Sequence, residues 1–183
     1  DCNDDAEVAL LGIHPWMHRE IDALVLNHGR YERVAAEEMT IAGLRTTMKT
    51  NFEGAVAVWK AVQPHLTASA RIVVVGSQLG TRGSPHGADY SASKAALAMW
   101  ARSLAQAVGP QGKRVNILAP GFVDTAILAG DSKQKRAERE QLVPLKRVAT
   151  PEDMAGTISF LIGSDSSYIT GAIIHVNGGL YLP

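Results

Sequence analysis

Hydrophobic positions along this chain switch repeatedly between short apolar runs and longer stretches with helical spacing. Ile21 to Asn27 (IDALVLN) is an apolar run ending at Gly29, and reads as a buried parallel strand. Val34 to Leu66 has helical spacing. It divides into a short piece over Ala35 to Met39 and a long one over Ile41 to His65, where Ala55, Val58, Trp59 and Val62 form an apolar stripe. Arg71 to Ser77 is the next strand, and Asp89 to Val108 is an alanine-rich helix closed by Gly109-Pro110. Lys113 to Ala119 (KRVNILA) is a third strand, stopped by Pro120-Gly121. Thr150-Pro151-Glu152-Asp153 starts a helix that runs to Ile162, with Thr as N-cap, Pro at the first helical position and acids in the first turn. Ala172 to Val176 is the last strand, before Asn177-Gly178-Gly179. The polar opening Asp1 to Asp5 caps a helix from Ala6 to His18, which Gly12 and Pro15 weaken.

Alternation of this kind predicts an α/β fold with a parallel sheet and helices on both faces. With no repeat, low-complexity tract or linker, residues 1–183 read as a single domain. Right-handed crossovers place every strand's carboxyl end along one edge, where open α/β sheets bind ligands. Ser77, the turn after Asn27 and Pro120-Gly121 all fall there.

Composition changes this picture little. The 183 residues are 46% hydrophobic and 20% charged, as in ordinary globular domains. Eighteen basic residues balance eighteen acidic ones, so charge gives no reason to expect nucleic acid or an anionic membrane as partner. One cysteine, Cys2, allows no internal disulfide and suggests a reducing, cytoplasmic setting. No apolar run approaches the roughly 20 residues that span a bilayer, and no signal peptide is visible.

Candidate chemistry concentrates between Ser77 and Lys94. Tyr90 and Lys94 are four apart and share one helical face. A phenol has an ordinary pKa near 10, too high for a base at neutral pH, and a cation one turn away is expected to lower it. Ser77 offers a hydroxyl to a substrate oxygen. Such a spacing alone is weak, because it arises often by chance.

The surroundings make it specific. Ser77-x-x-Gly80 lies thirteen residues before the Tyr of Tyr90-Ser-Ala-Ser-Lys94. Asn27-His28-Gly29 follows one strand, Asn51 sits in Lys49-Thr-Asn-Phe-Glu-Gly54, and Pro120-Gly121-Phe-Val-Asp-Thr125 follows another. Tyr168-Ile-Thr-Gly171 and Val176-Asn-Gly-Gly179 close the chain. In this ordered set the sequence resembles the short-chain dehydrogenase/reductase family along its whole length.

The resemblance implies a Rossmann-like doubly wound sheet and an NAD(P)-dependent oxidoreductase interconverting a carbonyl and a secondary alcohol. Tyr90 would be the acid/base, Ser77 would hold the substrate oxygen, and Lys94 would lower the Tyr90 pKa and bond the nicotinamide ribose. Asn51 would hold a water in a proton relay. For the cofactor, NAD or NADP, it implies contacts from Asn27, Gly29, Tyr90, Lys94, the Pro120-Gly121 to Val123 backbone and Thr125, and from Asp1 to the adenine amino group. It implies a small-molecule substrate, no metal, and a homotetramer or homodimer built on the helices Ile41 to His65 and Asp89 to Val108. Ala92, Ala95, Ala96 and Ala101 would permit their close approach.

The sequence also departs from the family. The Gly-x-x-x-Gly-x-Gly turn and the first three strands have no counterpart, so the chain is expected to be the C-terminal portion of a longer protein. A shortened product and a half supplied by another chain are the alternatives. In the first of these it would be a non-catalytic oligomerisation or scaffold protein. His28 stands where the family has a small Ala, and is expected to be accommodated. Pocket walls are expected from Gln78, Leu79, the Thr81 to His86 loop and a lid over Ile127 to Leu142. Within that lid the charge run Asp131 to Gln141 reads as a solvated or mobile helix. His14 and His18 have a metal-pair spacing but read as surface residues, as does His86. Trp59, Met99 and Trp100 read as core or interface. NAD versus NADP and the substrate itself are open.

Overall fold

The computed structural model describes residues 1–15 and 19–183. Among these, four parallel strands form one sheet in the order β1-β2-β3-β4: β1 Ile21–Leu26, β2 Leu66–Val75, β3 Arg114–Pro120 and β4 Ile173–Val176. The helices are α1 Asp5–Ile13, α2 Ile41–Met48, α3 Gly54–Val62, α4 Leu79–Arg82, α5 Ala88–Val108, α6 Lys133–Leu142 and α7 Pro151–Ile162. The predicted helix Ala6 to His18 ends at Ile13, with His14 already extended; His18 lies outside the described residues.

Strands β2 and β3 are apolar on both faces because both faces are covered. Ile72, Val74, Val115 and Ile117 pack with Trp59 of α3 and Leu97, Ala101 and Ala105 of α5. On the other face, Val73 and Leu118 pack with Met154 and Leu161 of α7. The strand order advances in one direction, yet the helices joining β1 to β2 and β2 to β3 lie on one face and α7 on the other. The last crossover therefore has the opposite hand to the first two. This differs from the uniform right-handedness expected; the connection over residues 121–172 is long enough to carry α6 and α7 round the sheet.

Three elements differ from their predicted shape. The helix over Ile41 to His65 is broken at Lys49–Glu53, where the backbone widens into a π-turn and the Gly54 N–H reaches back to the Lys49 carbonyl. β2 begins five residues before Arg71. Its pairing with β1 shifts between Ile21↔Leu66 and Ala23↔Arg71, and the Thr67 hydroxyl donates to Asp22 Oδ1 at 3.1 Å across the irregularity. The short piece over Ala35 to Met39 is a single 3-10 turn, Ala36–Glu38. The Thr150 start of α7 is a full capping box closed by Asp153, with Pro151 in the first turn.

Candidate active site

Ser77, Tyr90 and Lys94 converge where β2 ends. Gly80 sets their approach: a Cβ there would lie 2.9 Å from the Lys94 carbonyl carbon and 3.0 Å from the Ala95 nitrogen. Only glycine lets α4 rest on the backbone of α5, which ties Ser77 to Lys94 through four residues of chain. The Ser77 hydroxyl accepts the Leu79 N–H at 3.1 Å and hydrogen-bonds Tyr90.

Lys94 is 4% exposed and its ammonium donates to the carbonyl of Val75, the last residue of β2, at 2.8 Å. Burial draws its pKa down to about 8. Its Nζ lies 5.9 Å from the centre of the Tyr90 ring. Burial pushes the Tyr90 phenol up, the Ser77 hydroxyl pulls it down, and Tyr31 adds to the rise. Burial thus sets the direction of the Tyr90 shift, and the same apolar walls penalise the charged form of Lys94.

Asn51 occupies the π-turn and is fully buried. Its Oδ1 accepts the Arg30 N–H at 2.7 Å, and its Nδ2 donates to the Arg30 carbonyl and to Ser93 Oγ, each at 3.0 Å. Ser93 in turn donates to the Tyr90 carbonyl at 2.7 Å. The amide thus staples the turn after β1 to the helix carrying Tyr90 and Lys94. Gly29 closes the cluster, because a Cβ there would sit 3.2 Å from Lys94 Nζ.

These groups border a cavity of about 320 Å³, lined by Ser77, Tyr90 and Lys94 together with Asn27 and Gly29. Pro120, Gly121, Val123 and Thr125 line its opposite side. Asn51 supports the cavity from behind. Asp1 lies outside the lining, its carboxylate accepting the Asn3 N–H at 2.9 Å. His28 does not line the cavity either; its Nε2 is buried without a partner among the described residues, 3.3 Å from where a Gly54 Cβ would sit. His86 takes part through its carbonyl, which accepts the Tyr31 hydroxyl at 3.0 Å. The described residues include no group of three or more metal-ligating side chains, and none of their helices is long and apolar enough to cross a membrane.

The lining also holds Tyr31 and, from α7, Met154, Ala155 and Ile158, none of which the sequence reading placed at the pocket. Tyr31 meets the Tyr90 ring edge-on, with centroids 5.1 Å apart at 79°. Its only signal was its place two residues beyond Gly29. Arg139 belongs to the charge run, yet lies over the Phe122 ring at 4.5 Å and pairs with Asp131, both side chains under 20% exposed. A sheltered ion pair thus ties two parts of the lid to each other, while other charges of this stretch, such as Arg136 with Asp124, face solvent.

A family model described as Enoyl-(Acyl carrier protein) reductase matches residues 10–181. The 3-oxoacyl-[acyl-carrier-protein] reductase FabG of Salmonella typhimurium is 34% identical over 165 residues, 89% of this chain and 68% of that protein. The cis-4-hydroxycyclohexanecarboxylate dehydrogenase of Sinomonas cyclohexanicum is 34% identical over 180 residues, 97% of this chain and 72% of that protein. A crystal structure of a short-chain dehydrogenase/reductase from Brucella melitensis superposes with a TM-score of 0.92 at 31% identity, covering all of this chain and 75% of the other. The chain belongs to the short-chain dehydrogenase/reductase family. It is an NAD(P)-dependent oxidoreductase with the Rossmann-like fold of that family.

The residues present fit the nicotinamide end of such a cofactor. Gly29 keeps the space beside Lys94 Nζ free of a side chain, and the Pro120–Thr125 segment offers backbone along the facing wall.

Proposed function

We propose that this cavity interconverts a small-molecule carbonyl and the corresponding secondary alcohol, with Tyr90 as general acid/base. One observation carries the reading: the Ser77 hydroxyl, the Tyr90 phenol and the Lys94 ammonium border a single cavity whose wall Asn51 anchors. Bound NADH or NADPH supplies the hydride. Tyr90, held protonated at neutral pH by burial, gives its proton to the oxygen of the reduced carbonyl. Ser77 holds that oxygen beside the phenol. Lys94 fixes the nicotinamide ribose and, with a pKa of about 8, is poised to return a proton to Tyr90. The Asn51 amide keeps the relay's walls in register.

In this reading Asn27, Gly29 and the Pro120, Gly121 and Val123 backbone flank the cofactor. Thr125 is exposed at the cavity mouth, towards the pyrophosphate or carboxamide end. Asp1 takes the adenine amino group. Residues 1–183 act as one domain, the C-terminal portion of a Rossmann unit, in a cytoplasmic homotetramer or homodimer. Several relatives are named for 3-oxoacyl carrier-protein substrates and one for a cyclic hydroxy acid, which supports the reaction class without choosing a molecule.

Tyr90→Phe tests the assignment. It should abolish carbonyl reduction, a loss of at least about 100-fold for a proton-transfer residue, while nicotinamide fluorescence titrations report unchanged NAD(P)H affinity. Full activity in Tyr90→Phe sinks the mechanism. A wild-type chain that binds neither NADH nor NADPH points instead to a scaffold.

A further inference from the structure

Connecting loops are ordinarily the mobile parts of a fold, yet the loop after β1 is tied down on both sides of Tyr31. On one side the fully buried Asn51 bonds both backbone groups of Arg30, accepting its N–H at 2.7 Å and donating to its carbonyl at 3.0 Å. On the other side the loop is stitched to the segment that leads into α5. The Gly87 N–H donates to the Val34 carbonyl at 2.8 Å, and the Ala36 N–H to the Pro85 carbonyl at 2.9 Å. The Tyr31 hydroxyl donates to the His86 carbonyl at 3.0 Å. Its ring lies on Gly87, where φ is +109° and a Cβ would come within 2.7 Å of Tyr31 Cε2. Glycine is needed there on both counts. Backbone, hydroxyl and ring of Tyr31 are therefore all fixed, and what the ring is fixed against is Tyr90.

The two rings meet edge-on, with centroids 5.1 Å apart at 79°, and both line the cavity. Two other groups beside the Tyr90 ring change partners in the reaction proposed above. Ser77, which bonds the phenol here, turns to the substrate oxygen, and Lys94, its Nζ 5.9 Å from the ring centre, takes the nicotinamide ribose. Tyr31 does not exchange partners, because its hydroxyl is committed to the His86 carbonyl. We propose that Tyr31 is a positioning residue whose ring holds Tyr90 in the rotamer that aims its phenol at the substrate oxygen. The proposal rests on the assignment of Tyr90 as the acid/base. An edge-on pair favours its own geometry by about 2- to 10-fold, and a displacement of about 1 Å at a reacting group costs about 100-fold in rate. The ring carries this role, and the hydroxyl keeps the ring in place.

The test removes the ring in Tyr31→Leu and keeps it in Tyr31→Phe. Reduction of ethyl acetoacetate, a small 3-oxo ester, is followed with NADH and with NADPH, and thermal melting confirms that each variant is folded. Tyr31→Leu should lower kcat by about tenfold or more, with KM and NAD(P)H affinity within about threefold of wild type, because the loss is one of aim inside the bound complex. Tyr31→Phe should recover kcat to within about threefold of wild type, the worth of one neutral hydrogen bond. If Tyr31→Leu does not fold, Tyr31→Met is read against the same thresholds. Crystal structures of wild type and variant read the position without turnover. Tyr90 should hold a single rotamer in the wild type and be displaced or spread over several in Tyr31→Leu.

A Tyr31→Leu protein with kcat within about twofold of wild type overturns the proposal. So does a loss confined to KM or to NAD(P)H affinity, which makes Tyr31 a wall of the binding site rather than a support for Tyr90. A Tyr31→Phe protein as slow as Tyr31→Leu also overturns it, since the hydroxyl and not the ring would then matter. An unmoved Tyr90 in the crystal structure of Tyr31→Leu has the same consequence. Where the wild type reduces no ethyl acetoacetate with either cofactor, the crystal structures alone decide. A Tyr90 displaced in the variant then upholds the role of Tyr31, whatever the fate of the reaction assigned to the cavity.

Discussion

Lys94 is the residue whose environment differs most from its sequence-level reading. Tyr-x-x-x-Lys spacing suggests a cation that stabilises a phenolate, but the ammonium instead bonds the Val75 carbonyl and sits in surroundings that penalise its charge. The consequence is a signature in stability against pH. Below about pH 8 both folded and unfolded chains hold the Lys94 proton, and the folded state bears the full desolvation penalty. Between about 8 and the ordinary lysine value near 10.4, the unfolded state binds the proton and the folded state does not, so this contribution raises stability as pH rises. Lys94→Met removes it. Urea unfolding of both proteins at pH 7 and pH 9.5 should show the variant's advantage over wild type falling by about 2 kcal/mol across that interval. A pH-independent difference would mean that Lys94 is solvated in the folded protein.

At the scale of elements, the site depends on how closely α4 and α5 meet. Gly80→Ala places a methyl against backbone atoms of Lys94 and Ala95 that no side-chain rotation can move. Overpacking of this kind costs roughly 1–3 kcal/mol, and relief by shifting α4 carries Ser77 away from Tyr90. Thermal or urea unfolding should register the first effect. A fall in kcat/KM with little change in NAD(P)H affinity should register the second. A Gly80→Ala protein as stable and as active as wild type removes the α4–α5 contact from the account. How legible such elements were depended on their signals. α5 and α7 end at glycine or begin at a capping box, so sequence placed them within a residue. The π-turn at Asn51 was hidden because one widened turn leaves the apolar stripe of Ala55, Val58, Trp59 and Val62 nearly in phase. The early start of β2 was hidden because Thr67–Ala70 alternate with no strand period, and only their irregular pairing with β1 makes them strand. Arg139 was hidden by its neighbours: in a run of charges, nothing local distinguishes the one that turns inward to Phe122.

For the whole molecule, the open question is what covers the outer side of α5. Ala101, offered by the sequence as a small residue permitting close approach, is instead fully buried in this chain's own core against the sheet. Ala92 and Met99 are exposed and seven residues apart, so they share the opposite side, Met99 with 57% of its surface open. The same helix carries Tyr90 and Lys94, and Thr47 of α2 holds its first turn by donating to the buried Asp89 carboxylate at 2.6 Å. A partner copy seated on α5 would therefore stiffen the element that holds the proton chemistry, which gives assembly a catalytic consequence. Light scattering on the eluting protein should give a mass of two or four chains. Met99→Glu, which buries a charge in such a contact, should shift the protein towards monomer and lower its melting temperature in a concentration-dependent way. A wild-type monomer at tens of micromolar, or a Met99→Glu protein of unchanged mass, removes α5 from the assembly surface and leaves its rigidity to the contacts with α4, α2 and the sheet.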